Sequence, residues 1–346
     1  MKNKIKIMLW ILISIVVLAL ASVCYFLVGW APKQDNITWG IDFSQMQAEA
    51  LGLNWKEAYL SIIEDLGVKN IKLHTQWDWV EGQKSEYYFD DIDWQLQQAE
   101  KQGVNIIYVL GIKTGRWPEC HDPDWARSLS ETEEQQATLD YVKEVVLRYK
   151  DNPAIKYWQI ENEPLLKFGE CPSWYYDGGE FLKKEVELVR SLDSSRKIIV
   201  SDSGELSLWI KSGKIGDILG TTMYRKAWVD IASYGLPALI PNFYGTYPIP
   251  PVCYWRKAQM IKTFYGKDTM CIELQAEPWP QGQIYDTSVE EQLKTMDLSQ
   301  FKKNVEYAKK TGLDTFYFWG TEWWYWMKTT QNNPEIWNEA KTLFSN

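Results

Sequence analysis

Trp158-Gln159-Ile160-Glu161-Asn162-Glu163-Pro164 reads as a β-strand that ends in a cluster of acids. About 110 residues further on, Cys271-Ile272-Glu273-Leu274 has the same character. Short apolar runs without strict polar alternation are the signature of strands buried on both faces of a parallel sheet. If both runs belong to one closed barrel, their carboxylates face each other across its mouth.

The surrounding sequence supplies the rest of such a barrel. Further strands are expected at Ile37–Phe43, Asn70–Thr75, Val104–Gly111, Lys197–Ser201, Asp217–Met223 and Thr315–Trp319, with the two quoted runs at Ile155–Ile160 and Met270–Leu274. Amphipathic segments fall between them at Trp55–Leu66, Asp91–Gln102, Glu131–Tyr149, Gly179–Leu192 and Glu290–Lys310. A weaker helix is expected around Ser207–Ser212, another helix around Pro251–Tyr265, and Pro334–Phe344 is the last. Asn54-Trp55-Lys56-Glu57 and Ser288-Val289-Glu290-Glu291 have capping-box spacing, in which a side-chain oxygen satisfies free backbone N–H groups. Strand and helix alternating eight times predicts a (β/α)8 TIM barrel. The rival, a doubly wound open sheet, calls for a glycine-rich first turn, and Trp39-Gly40-Ile41-Asp42-Phe43-Ser44 is no such turn.

The chain divides at its start. Lys2, Lys4 and Lys6 precede an apolar run from Ile7 to about Trp30, long enough to span a bilayer as a helix. Basic residues before the run place the N-terminus in the cytoplasm and the remainder outside it. Residues 1–30 are therefore expected to be a membrane anchor, with a cleaved signal peptide as the alternative, and residues 31–346 one catalytic barrel domain. Removing three lysines from 37 basic residues leaves 34 against 46 acidic ones in the exported part. Such a surface argues against nucleic acid and anionic lipid as ligands. With 20 Trp and 20 Tyr, the composition instead tilts towards carbohydrate, because flat rings stack on sugar faces. A monomer is expected.

Export permits disulfides. Cys120 and Cys171 both fall in loops after expected strands, so they can meet on one face, whereas Cys271 reads as a buried strand residue. With His74 and His121 the only histidines, neither a Ser–His–Asp triad nor a His-rich zinc site is expected, and no metal or organic cofactor is called for.

The expected strand ends carry Asp42, His74, Gln76, Trp77, Lys113, Asn162, Glu163, Tyr224, Arg225, Glu273, Glu277, Trp319, Glu322 and Trp323. In a barrel these positions share one mouth. Breaking a glycosidic bond needs one group to protonate the leaving oxygen and another to meet the charge that develops at the anomeric carbon. Two carboxyls do both when their surroundings push their pKa values apart.

The Asn162-Glu163-Pro164 run on a fourth strand, paired with Glu273 on a seventh, resembles the signature of clan A glycoside hydrolases, the retaining (β/α)8 enzymes. The resemblance spans nearly the whole exported chain. It implies Glu163 as acid/base, Asn162 as partner of the sugar 2-hydroxyl and Glu273 as nucleophile. Tyr224 would bond the nucleophile, and Trp319 would lie under the sugar. Several families of the clan place an Arg on the second strand near the nucleophile. None stands here, so His74 or Gln76 is expected to substitute. Trp77 and Glu277 are further substrate-binding candidates. Glu161 ranks behind Glu163 as the acid, and Glu277 behind Glu273 as the nucleophile.

The resulting expectation is a membrane-anchored glycosidase acting on β-linked carbohydrate outside the cytoplasm. A transglycosylase would use the same residues, and a non-catalytic carbohydrate-binding or cell-wall scaffold is the reading from another class. The loops Lys113–Ser130 and Arg225–Pro251 are expected to set specificity.

Overall fold

Every expected strand forms, and two more appear. The computed structural model describes residues 2–230 and 242–345. Among these, β1 (Thr38–Phe43), β2 (Asn70–His74), β3 (Asn105–Leu110), β4 (Ile155–Ile160), β5 (Lys197–Asp202), β6 (Ile218–Met223), β9 (Asp268–Gln275) and β10 (Thr315–Trp319) close into a barrel in the order β1-β10-β9-β6-β5-β4-β3-β2. All neighbours in it run parallel. The unforeseen pair, β7 (Lys226–Val229) and β8 (Phe243–Thr246), forms an antiparallel ribbon in the loop after β6. Residues 231–241 of that expected specificity loop lie outside the described residues.

Side chains alternate between two cores. Ile107, Ile199, Ile218, Met270, Ile272 and Tyr317 pack together inside the barrel. Trp158, Ile160, Val200, Leu219 and Phe316 point the other way, into the larger layer beneath the helices. This explains why the strands read as continuous apolar runs: neither face meets water.

One irregularity bears directly on the mouth. Against β6, Thr221 pairs with Cys271 but Thr222 with Glu273; against β10, Phe316 pairs with Cys271 but Phe318 with Leu274. Over this stretch β9 therefore carries one residue more than either neighbour, a β-bulge. The extra residue lets Ile272 fill the barrel interior while the adjacent Glu273 also turns inward.

The helices follow their amphipathic patterns with local exceptions. Glu131–Tyr149 and Pro251–Tyr265 form as expected, and Asp90–Gln102 ends on Gly103 in the left-handed conformation (φ 62°) that glycine adopts at least cost. The expected Glu290–Lys310 helix is broken into Val289–Gln292 and Leu298–Lys309. Asp297 caps the second piece by accepting the Gln300 N–H at 2.7 Å, and Thr295 Oγ1 accepts the N–H of Trp279 at 2.9 Å. The Ser207–Ser212 helix shifts to Ile210–Ile215, because Trp209 takes a left-handed φ of 67° and cannot continue a helix. A tryptophan-rich helix, Thr321–Thr329, follows β10 unannounced.

At the N-terminus Lys2–Leu27 forms one helix, and Lys4–Leu27 is long and apolar enough to cross a membrane by length and composition. Cys120 and Cys171 form a disulfide with Cα atoms 5.1 Å apart, joining the loops after β3 and β4, while Cys253 and the buried Cys271 are free.

Candidate active site

β4 ends in backbone that residues with a side chain seldom adopt: Glu161 and Glu163 both have positive φ, 60° and 45°. The two acids thereby turn to different tasks. Glu161 accepts the N–H groups of Ile112 at 2.9 Å and Lys113 at 2.6 Å, together with the Tyr175 hydroxyl at 2.9 Å. It ties the β3 loop to the end of β4 and is buried away from the mouth.

Glu163 is held at its backbone and left lightly dressed at its carboxyl. Its N–H donates to Ser201 Oγ at 2.7 Å, and Lys113 Nζ donates to its carbonyl at 3.2 Å and to that of Leu166 at 3.0 Å. The carboxyl receives one neutral donor, the Thr222 hydroxyl, at 2.9 Å. Burial, followed by the nearby charge of Glu273, pushes the Glu163 carboxyl up to about 8.

Glu273 meets the opposite environment. Lys72 Nζ lies 2.8 Å from one oxygen, and the Tyr224 hydroxyl donates to the other at 2.8 Å. Lys72 reaches across the barrel from β2 and also lies 2.9 Å from Asp42. Burial alone would favour the neutral amine, but the carboxylates of Asp42 and Glu273 outweigh it and raise the Lys72 pKa. For Asp42, burial is likewise overcome by His74 and Lys72, which bring it down to about 2. The two glutamates are linked through Thr222, which pairs with Glu273 in the β6–β9 register and bonds Glu163 with its hydroxyl.

A third group closes the mouth. Trp319 donates its indole N–H to Glu277 at 2.7 Å, and the Arg116 guanidinium lies 4.0 Å above its ring. Arg116 bonds Glu277 and Glu322, the latter at 3.3 Å. Burial, opposed by Arg116, pushes Glu322 up to about 8. Glycine is required at position 115, where φ is 91° and a Cβ would sit 3.2 Å from Trp319, 3.3 Å from His74 and 3.5 Å from Asn162. These three expected site residues thus converge on one point.

Several placements differ from expectation. Trp77 does not line the mouth: it is fully buried, stacks on Tyr141 at 5.5 Å and donates to Glu81 at 2.8 Å. It opens a short helix, Trp77–Val80, that turns the ring outwards beneath the helical layer. The second-strand cation beside the nucleophile candidate is Lys72, not His74 or Gln76. His74 instead bonds Asp42 at 2.7 Å and the Thr114 carbonyl, while Gln76 points at Met46. Glu277 lies in the mouth but is committed to Arg116 and Trp319. Trp323 packs inside against Gln292, and Arg225 covers Tyr307.

Lys72, Arg116, Glu119, Thr222 and Glu205 join the site without having been expected there. Strand alternation was the available signal for Lys72 and Thr222, since each shares a barrel-facing position with a recognised residue: Lys72 with His74, and Thr222 with Tyr224 two residues on. Glu119 has no such signal. It borders the mouth beside the disulfide, and burial, opposed by Lys113 and reinforced by Glu273, pushes it up to about 7. Glu205 accepts the Tyr224 N–H at 2.7 Å and so fixes the backbone that aims the Tyr224 ring. Among the described residues, no group of three or more His, Cys, Asp or Glu side chains is arranged to hold a metal ion.

The family model described as "Glycosyl hydrolases family 2, TIM barrel domain" matches residues 69–228. The matched residues run from β2 through β6 of the closed eight-stranded barrel and into β7. Two curated relatives are probable mannan endo-1,4-beta-mannosidases. Type A-1 from Aspergillus terreus is 29% identical over 120 residues, covering 33% of this chain and 30% of that protein. Type A from Aspergillus clavatus is 23% identical over 172 residues, covering 45% and 44%. The chain spans less than half the length of these relatives. Among solved structures, xylanase 10B from Thermotoga maritima shares the fold, with a TM-score of 0.55 at 15% identity over 90% of this chain and 95% of that one.

Proposed function

We propose that the chain is a retaining β-glycosidase that works by double displacement, tethered outside the cytoplasm by its N-terminal helix. One observation carries the reading: two glutamates share a mouth in opposite electrostatic settings. Glu163, pushed up to about 8, holds its proton at neutral pH and suits a general acid. Glu273, between Lys72 and Tyr224, is oriented by donors on both oxygens and suits a nucleophile.

In the first step a Glu273 oxygen bonds to the anomeric carbon as the glycosidic bond breaks, and Glu163 delivers its proton to the departing oxygen. In the second, the Glu163 carboxylate takes a proton from water, whose oxygen displaces Glu273 and restores both groups. Asn162 would bond the 2-hydroxyl, and Trp319 would floor the sugar. The relatives are named for β-1,4-mannan, so mannan and aryl β-mannosides are the first substrates to try, with xylan second.

The test uses the full-length chain in lipid nanodiscs. Glu273→Ala is expected to abolish release of an aryl leaving group, and azide to restore part of it as a glycosyl azide of inverted configuration. Unchanged hydrolysis by Glu273→Ala would end the assignment. Carbonate extraction of membranes from expressing cells tests the tether: the chain is expected in the pellet at full mass.

A further inference from the structure

The rim of the mouth differs from side to side. Towards β9 and β10, a hollow of about 170 Å³ is walled by Trp117, Trp279, Tyr285 and Trp319, with Arg116 and Glu119 among them. Rings and charges of this kind suit a sugar. Towards β4 and β5 lies a groove of about 330 Å³ whose wall carries Pro164, Leu165, Leu166, Leu206, Leu208 and Ile210. Leu206, Leu208 and Ile210 stand out in solvent, 58%, 54% and 43% exposed.

The groove borders the chain segments that carry Glu163 and hold its backbone. Pro164 follows Glu163 directly. On the facing wall, Ser201 bonds the Glu163 N–H, and the next two residues, Asp202 and Ser203, line the groove. The exposed leucines are also held in place. Between Leu208 and Ile210, Trp209 is fully buried at a left-handed φ of 67°, donates to the Ser203 carbonyl at 2.9 Å and is covered by Lys257 at 4.0 Å. That conformation is unfavourable for a residue with a Cβ. It anchors the loop while its two neighbours face outwards.

We propose that this groove holds the alkyl tail of an amphipathic glycoside, the apolar group that departs from the sugar. The inference rests on Glu163 being the general acid, because a general acid stands on the leaving-group side of the bond it breaks. Exposed aliphatic side chains near that group suit an apolar chain, with Asp202, Ser203, Ser207 and Lys211 completing the lining.

The experiment has two arms, both with full-length protein in nanodiscs and empty nanodiscs as reference. In the first, KM for octyl β-mannoside is expected to fall on the order of tenfold below that for ethyl β-mannoside, as several methylenes are partly buried. Leu206→Ser combined with Leu208→Ser should bring the ratio to within about twofold of one. A ratio near one in the parent overturns the proposal.

The second arm does not need turnover. An octyl β-mannoside with a diazirine at the end of its alkyl chain is photolysed on Glu163→Gln, and the label is mapped by mass spectrometry. Label on Leu165, Leu166 or residues 206–210 supports the groove even if no glycoside is hydrolysed, which separates this proposal from failure of the catalytic reading. Label confined to the N-terminal helix overturns it. So does its absence from the groove together with cross-linking of two copies through Leu206 and Leu208, which would assign the surface to self-association.

Discussion

The wall built from β2 and β9 and the wall built from β4 use the same side chain to opposite ends. On the first, Glu273 receives an ammonium and a phenol hydroxyl. On the second, Glu163 receives one threonine hydroxyl and is otherwise desolvated. The difference lies in what each carboxyl is given to bond, not in the carboxyl itself. A buried ammonium reaching across from β2 and a phenol hydroxyl hold Glu273 by both oxygens, whereas at Glu163 burial favours the proton.

The sharpest way to break this comparison is to replace each acid by its amide and read them side by side. Glu273→Gln is expected to lower kcat on the order of 10⁵-fold with every leaving group, since no carboxylate remains to attack. In kcat/KM, which reports the first step, Glu163→Gln should cost about 10²- to 10⁴-fold on alkyl or sugar leaving groups and far less on a dinitrophenyl glycoside, which departs without a proton. Equal losses on both substrates would mean that the roles are misassigned.

Removing the cation tests the first wall. Lys72→Met leaves Asp42 and Glu273 buried without their shared ammonium, which should destabilise the fold by about 3–5 kcal/mol in denaturant titration. The disulfide holds the loops that carry Arg116 and Glu119. Replacing Cys120 and Cys171 by Ser, which opens a loop of 51 residues, should cost about 4 kcal/mol or somewhat less in the same measurement.

The second wall makes the smallest prediction and fixes its sign. Glu163 has a folded pKa raised above its unfolded value, so its stabilising contribution is complete below the ordinary carboxylate range and is lost as pH rises through about 8. Activity should fall over the same upper range as the acid loses its proton. Glu163→Gln cannot ionise, so its stability should not fall between about pH 5 and 8.5 as the parent's does, while it is far less active. A basic limb of kcat/KM that is unchanged in position in Glu163→Gln would assign that limb to another group, of which Glu322 is the first candidate.

The barrel was legible because its signals are local. Each strand is a short apolar run, helices such as Glu131–Tyr149 announce themselves by period and cap, and the Asn162-Glu163-Pro164 run marks one strand end. For the four cysteines beyond the anchor the sequence left three full pairings open, Cys120 with Cys171 among the possible ones, and the tertiary structure joins these two. Less visible were segments whose conformation is set by neighbours. The Thr321–Thr329 helix is centred on four consecutive aromatic residues without clear periodicity, and the β7–β8 ribbon interrupts what reads as plain loop.

By itself, then, the sequence determined an eightfold strand–helix alternation, an apolar N-terminal helix and two acids at the ends of the fourth and seventh barrel strands. Only closure of the barrel decided what surrounds those acids. It brought Lys72 to Glu273 from 201 positions away along the chain, turned Trp77 outwards and joined Arg116 to Glu277, Glu322 and Trp319. It also displayed the bulge in β9 that turns Glu273 inwards. Local periodicity encodes which face a residue takes, whereas the partner it meets there depends on how strands distant in sequence come into register.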